Sequence, residues 1–303
     1  MTIRYDRPVS HAAHFSRRIG QFSLLLFVVV LAAHRFSLMP TPYCVALVLF
    51  SAGFALLAVL LALIGLNSLW QVAARGGGAA TAGLFYALAP IALVAWGAYD
   101  YFRYPPIYDI TTDIGDPPPF LDSVKADQIW LPRNAIITDS DRLQQLSAYP
   151  GLIGRRYNGA LDRVFEAVEK VNAQSRIKIR HGDGLEKTEA DIADLPAKPA
   201  GAEEEAVPDT LDNVPVPLPR PNIASDLPLI GQQGDVLLQG ETRSLILGFP
   251  SDVVIRLREE AETTLVDIRV VSRYGQHDLG YGATVADDYL KALDSELLGL
   301  SGG

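Results

Sequence analysis

Nine residues near the carboxyl end of this 303-residue chain, Ser272 to Gly280, gather the side chains best suited to handling a charge. Arg273 and His277 supply donors, Asp278 supplies an acceptor, and Gly275 and Gly280 permit a tight backbone. The run joins a strand-like segment to a helix-like one, so the first free amides of that helix are expected to point toward Arg273 and His277. An anion such as a phosphate headgroup or a carboxylate would then be held by Arg273, His277, Asp278 and Gly280. The competing expectation, which carries more weight, is structural: Asp278 caps the helix and pairs with Arg273, and Gly275 and Gly280 shape the turn. A relay of Ser272, His277 and Asp278 is a poorer reading, because catalytic triads are set by geometry and not by closeness in sequence. No nucleophile elbow, zinc-binding helix or phosphate loop accompanies it. The expectation is therefore a chain with no catalytic residue and no cofactor.

A second oxygen-rich stretch holds Asp109, Thr111, Thr112, Asp113 and Asp116. By oxygen count it resembles a cation site, but it lacks the glycine turn and distal glutamate of a calcium loop. Capping and turn hydrogen bonds are the expected use of these groups, with no metal bound. The single cysteine, Cys44, excludes a disulfide framework and a thiolate cluster.

These residues need elements to hold them, and composition divides the chain in two. At 49% hydrophobic, 20% charged and a mean hydropathy of +0.17, the whole is too apolar for an ordinary soluble domain and too charged for a membrane bundle. Up to Pro105 there are seven arginines and no lysine against two aspartates, a net of +5, which leaves −14 for the remaining 198 residues. An acidic second part argues against a nucleic-acid partner.

Three apolar stretches, Ile19–Leu38, Tyr43–Leu69 and Ala79–Tyr99, meet the length of roughly 20 residues needed to cross a bilayer. The first has an alternative as a cleavable signal, with Arg17 and Arg18 before it and Ala32 and Ala33 within it. Arginine placement puts the N-terminus and the loop Arg75–Gly78 in the cytoplasm. Three crossings then put the rest outside, in the periplasm of a bacterial inner membrane, with Cys44 near the outer face. No Asp, Glu, Lys or Arg lies in the middle of a span, so a channel or pump is not expected. Gly53, Gly65, Gly83 and Ala87 are candidates for close helix packing.

Residues 1–104 thus read as a three-helix anchor and 105–125, with five prolines, as an extended strap. Residues 126–303 read as an extracytoplasmic domain. In it, Leu161–Val171 has helical spacing, Arg176–Arg180 alternates as a half-buried strand, and Asp183–Gly234 is an acidic, proline-rich insertion read as disordered. Four strand-like runs follow, Val236–Gln239, Ser244–Leu247, Asp252–Arg258 and Leu265–Val271, with a hairpin break at Glu259–Thr264 and a closing helix at Ala283–Leu298. The fold class is a membrane-anchored α+β protein, three transmembrane helices followed by a two-layer domain with an antiparallel sheet and two packed helices.

The run Gly248 to Arg256, with Val266 to Gly280 after it, resembles the core signature of a bacterial and plastid family, domain of unknown function 1499, in which a Ser-Arg-x-Gly-x-x-Asp-Leu-Gly turn recurs. Upstream, Asp109, Ile110, Thr112, Asp113, Asp116, Pro117, Pro118 and Phe120 resemble its leading segment. Tyr281, Gly282, Ala283 and Thr284 depart from the Asn and basic residues usual after the Leu-Gly pair. The resemblance implies a fold and a location and brings no activity with it.

The leading functional expectation is a non-enzymatic envelope module that binds an amphipathic or anionic ligand near the outer leaflet, in an apolar groove between sheet and helices with Arg273 and His277 at its mouth. Its partners would be the lipid bilayer and a lipid or anionic small molecule. Two alternatives stand beside it, a scaffold that engages a protein through the 183–234 insertion, and an envelope hydrolase using Ser272 and His277.

Overall fold

The computed structural model describes residues 8–36, 38–123, 126–188, 235–261 and 263–299. Three helices come first, α1 (His11–Arg35), α2 (Thr41–Val72) and α3 (Gly77–Arg103), each long and apolar enough to cross a membrane. Ser10 caps α1 by accepting the Ala13 amide, and Pro42 in the first turn of α2 loses no hydrogen bond there because that amide has no helical partner. The helices pack pairwise through small residues. A Cβ on Gly65 would lie 2.9 Å from Ala13, one on Gly20 would lie 2.8 Å from the Gly83 carbonyl, and Gly83 sits directly on Ser16. Gly53, by contrast, faces open space. Ser16 donates to the Ala58 carbonyl (2.8 Å), while Ser23 and Ser51 donate to each other's carbonyls (2.8 and 2.9 Å). Such bonds tie spans together where apolar packing alone has no water to escape from.

The ends of the bundle are distinct. At one, Val9 bridges to Arg75, the Ser10 amide donating to the Arg75 carbonyl (2.9 Å) and the Arg75 amide to the Pro8 carbonyl (2.8 Å). At the other lie the C-terminus of α1, the N-terminus of α2 and the C-terminus of α3, from which the rest of the chain emerges.

Beyond the helices runs one antiparallel sheet, of β1 (Asp109–Thr111), β2 (Arg155–Asn158), β3 (Lys178–Asp183), β4 (Val236–Arg243), β5 (Pro250–Glu259) and β6 (Thr263–Ser272). Its order is β1-β6-β5-β4-β3, with β2 also on β6. Helices α5 (Leu161–Gln174) and α6 (Tyr281–Leu297) cover one face. The alternation of β5 sends Val253, Ile255 and Leu257 to that face, and β6 sends Val266, Ile268 and Val270. They meet Val164, Val168, Leu290 and Leu293 in a filled core, each side chain worth roughly 2 kcal/mol when removed from water. A short helix, α4 (Asp139–Ala148), starts at a capping box in which Thr138 and Asp141 satisfy each other's amides.

Several sequence expectations change here. Ser244–Leu247 is the β4–β5 turn and not a strand, closed by the Gly248 amide on the Ser244 carbonyl at 3.0 Å. The strand expected at Arg176 begins at Lys178, because Arg176 adopts φ +57. That strand is exposed along its length instead of half-buried, since it forms an edge of the sheet. The expected insertion begins with the end of β3 and a 3-10 turn at Leu185–Lys187; from residue 189 to 234 it lies outside the described residues.

The strap after Pro105 contains β1 and then crosses the face of the sheet that the helices leave open. Leu121 and Asp122 amides donate to the Gln239 side chain (2.7 and 2.9 Å), which donates back to the Asp122 carbonyl (2.9 Å).

Candidate functional site

Under the strap, β5 and β6 present arginine and aspartate where their opposite face presents valine and isoleucine. Arg256, 2% exposed, stands across from Asp267 in the strand register and donates to it at 2.8 Å. Two strap aspartates, Asp113 and Asp116, take its other terminal hydrogen bonds, both at 2.9 Å, while its Nε has only Asp235 at 4.0 Å. Asp116 also accepts from Arg258 (3.1 Å), which pairs with Asp235 (3.0 Å). One step along, Asp109 of β1 accepts from Arg269 at 2.6 Å and from Arg142 of α4 at 3.3 Å, and the Arg269 guanidinium lies 4.9 Å over the Phe120 ring. Buried charges of this kind survive only when paired and hydrogen-bonded. Asp109, Asp113 and Asp116, the residues that resemble a cation site in sequence, thus hold guanidinium groups supplied by the chain itself. Among the described residues no group of three His, Cys, Asp or Glu is placed to hold a metal.

The electrostatics of this face follow from the pairing. Arg258, followed by Arg256, holds the Asp116 carboxyl below its ordinary value. Burial would raise Glu241, but Arg180 and Arg273 outweigh it and leave it lowered.

The residues from Ser272 to Gly280 continue this network and do not converge on a common ligand position. Arg273 extends from the end of β6 to Asp252 (2.6 Å) and Glu241 (3.0 Å), and is 12% exposed. Its expected partner, Asp278, is turned the other way. Asp278 accepts the Gly280 amide on Oδ1 (2.9 Å) and the Gly282 amide on Oδ2 (2.8 Å), so the anion at the N-terminus of α6 is the chain's own carboxylate. Capping is as expected for Asp278, while the pairing with Arg273 is replaced by Asp252 and Glu241 because those acids lie on the same sheet face as Arg273. Burial raises the Asp278 carboxyl, opposed by the two amides.

His277 faces the anchor. Its Nδ1 accepts the Leu279 amide (2.9 Å), which leaves the proton on Nε2 to be shared by the Tyr101 and Tyr104 carbonyls, each at 3.0 Å. The ring lies 4.8 Å from that of Tyr101. Gly280, at φ +76, packs its bare Cα against the Tyr104 ring, where a Cβ would come within 2.8 Å. Gly275, at φ +73, forms the turn, and its amide donates to the Leu131 carbonyl (3.0 Å). Ser272 donates to the Tyr274 carbonyl (3.1 Å). Ser272, His277 and Asp278 each serve a different backbone group, and no proton relay connects them.

Sequence reasoning missed the docking of the domain on its own anchor. His34, in the last turn of α1, bonds through Nδ1 to the Leu247 carbonyl (2.7 Å) and through Nε2 to Thr41 (3.1 Å), and meets the Phe249 ring edge-on at 5.7 Å. Trp130 donates to the Pro42 carbonyl at 3.2 Å. The only advance signal was His34 itself, a polar residue at the end of an apolar run.

The groove expected between sheet and helices is absent from the described residues, since Tyr289, Leu290 and Leu293 fill that space. A cleft of ≈ 260 Å³ lies outside it, against Tyr104 and Tyr149, floored by Leu152, Gly280 and Ala283 and edged by Thr284 and Asp287. Burial pushes the Tyr149 hydroxyl up to about 12.

A family profile described as "Protein of unknown function (DUF1499)" matches residues 109–293. No curated protein and no solved structure matches the chain.

Proposed function

The chain belongs to the DUF1499 family, and from the way its domain sits on its own anchor we propose that it is a non-enzymatic module binding an amphipathic ligand at the membrane surface. The observation that carries this reading is the cleft at Tyr104. Tyr104 caps the last span and borders the cleft, so a molecule entering from the headgroup region meets an apolar floor of Leu152 and Ala283 with Thr284 and Asp287 at the edge. Asp287 is already paired with Lys291 at 2.6 Å, so the head that fits is a neutral, hydrogen-bonding one. An anion, the ligand expected from Arg273 and His277, would find Lys291 held by Asp287, Asp278 already at the helix terminus and Arg273 committed to two acids.

The arginine distribution supports a domain outside the cytoplasm, with the N-terminus inside, as in a bacterial inner membrane protein with a periplasmic domain. A role in maintaining the envelope belongs to the same proposal.

Mass spectrometry of lipids retained on the detergent-purified chain tests it. The wild type is expected to retain a defined amphiphile, and Thr284→Trp, a change at an exposed residue of the cleft edge, to lose it. Equal retention by both would sink the cleft as the site.

A further inference from the structure

We infer that the domain enters the lipid leaflet directly, through the β4–β5 turn at Leu245 and Ile246 and the loop at Ile129 and Trp130, so that its interaction partner is the same bilayer in which the anchor ends. The four side chains are exposed by 68%, 59%, 48% and 46%. Scattered apolar residues need no explanation, but two apolar loop tips gathered on one side do.

Their depth is fixed by bonds to the spans. Leu247, next to Ile246, offers its carbonyl to His34 in the last turn of α1, and Trp130 donates to Pro42 in the first turn of α2. Both loops are therefore held at the level where two adjacent spans leave the hydrocarbon. At that level tryptophan and branched apolar side chains are at home, since one end of the ring meets headgroups and the other meets acyl chains. The chemistry around them matches. Arg35 and Arg103 are exposed at the same rim, the Arg35 stem reaching within 3.8 Å of the Cβ position of Gly248, and both are placed to meet lipid phosphates. The inference rests on the helices spanning a bilayer and is independent of any ligand in the Tyr104 cleft.

The test uses the full chain with Cys44→Ala and Leu245→Cys, labelled with an environment-sensitive fluorophore and reconstituted into vesicles of phosphatidylcholine and phosphatidylglycerol. Leu245 is exposed, so the label displaces no packing. Brominated acyl chains are expected to remove most of the emission, and iodide in the water to remove little. A matched label at Leu56→Cys, on the exposed face of α2, reports the anchor alone. Quenching at Leu56→Cys without quenching at Leu245→Cys would overturn the inference and leave the anchor standing. Absence of quenching at both would overturn the spanning reading, and the inference with it.

Discussion

Gly280 and Gly275 share a left-handed backbone but differ in surroundings, which turns them into a matched pair of tests. Alanine at Gly275 meets open space and is expected to cost about 1–2 kcal/mol from backbone strain alone. At Gly280 the added methyl also meets the Tyr104 ring, so Gly280→Ala is expected to lower the thermal midpoint of the domain well beyond Gly275→Ala. Equal midpoints would remove Tyr104 from the packing. Asp278 gives a pH signature of its own. Its folded value lies above the ordinary 3.8, so its contribution is fully present below that pH and is lost as pH rises through the folded value. Asp278→Asn should flatten this fall in stability, measured by denaturant titration across pH. The slope is diagnostic and the level is not, because Asn also surrenders one of the two capping bonds.

At the scale of elements, the strap and the sheet are joined by charge where the helices and the sheet are joined by apolar packing. Removing a single partner is therefore more damaging than the exposure of the strap implies. Arg256→Met strands Asp267, itself 2% exposed, and is expected to cost about 3–5 kcal/mol in a thermal or chemical melt. A loss under about 1 kcal/mol would show that water or another cation replaces it. Asp116 and Glu241, both lowered, run opposite to Asp278. Their contribution is present above the ordinary values of 3.8 and 4.5 and is lost as pH falls through the lowered ones. Acid should thus loosen the strap at Asp116 and the β3–β4 edge at Glu241, and Asp116→Asn with Glu241→Gln should shrink the stability slope below about pH 4. Protease susceptibility of residues 112–122 against pH measures it.

For the molecule as a whole, three spans place the Val9–Arg75 end and the sheet domain at opposite ends of the bundle. Gly78→Cys and Ser140→Cys, both in a Cys44→Ala chain, are expected to react with impermeant thiol reagents from opposite sides of the membrane, with Ser140→Cys, on the proposed orientation, labelled from the side away from the cytoplasm. Labelling of both from one side contradicts the three-span path. The docking bonds of His34, Trp130 and His277 should also make the domain turn rigidly with its anchor. Replacing His277 and Trp130 together by alanine is expected to raise amide exchange around residues 101–107 while the core of β5 and β6 stays protected.

Much of this organisation is legible in order along the chain. Apolar runs set the spans, period-two alternation marked β5 and β6, and helical spacing marked α5 and α6, because each of these signals is local. The Asp278 cap was legible for the same reason, being two to four residues from the amides it accepts. β2 left only Tyr157 as an apolar trace, because Arg155–Asn158 sits as an edge segment on β6 with only alternate residues half-buried. Partners were the other blind spot. Asp113 and Asp116 look the same in sequence whether they bind a metal, water or Arg256, more than a hundred positions away. Arg273 could be matched to its neighbour Asp278 on paper, and only the β-sheet register brings Asp252 to it instead. Sequence by itself determined which segments are apolar, which alternate and which turn; the tertiary structure decided which charge meets which, since pairing depends on distances that chain order does not encode.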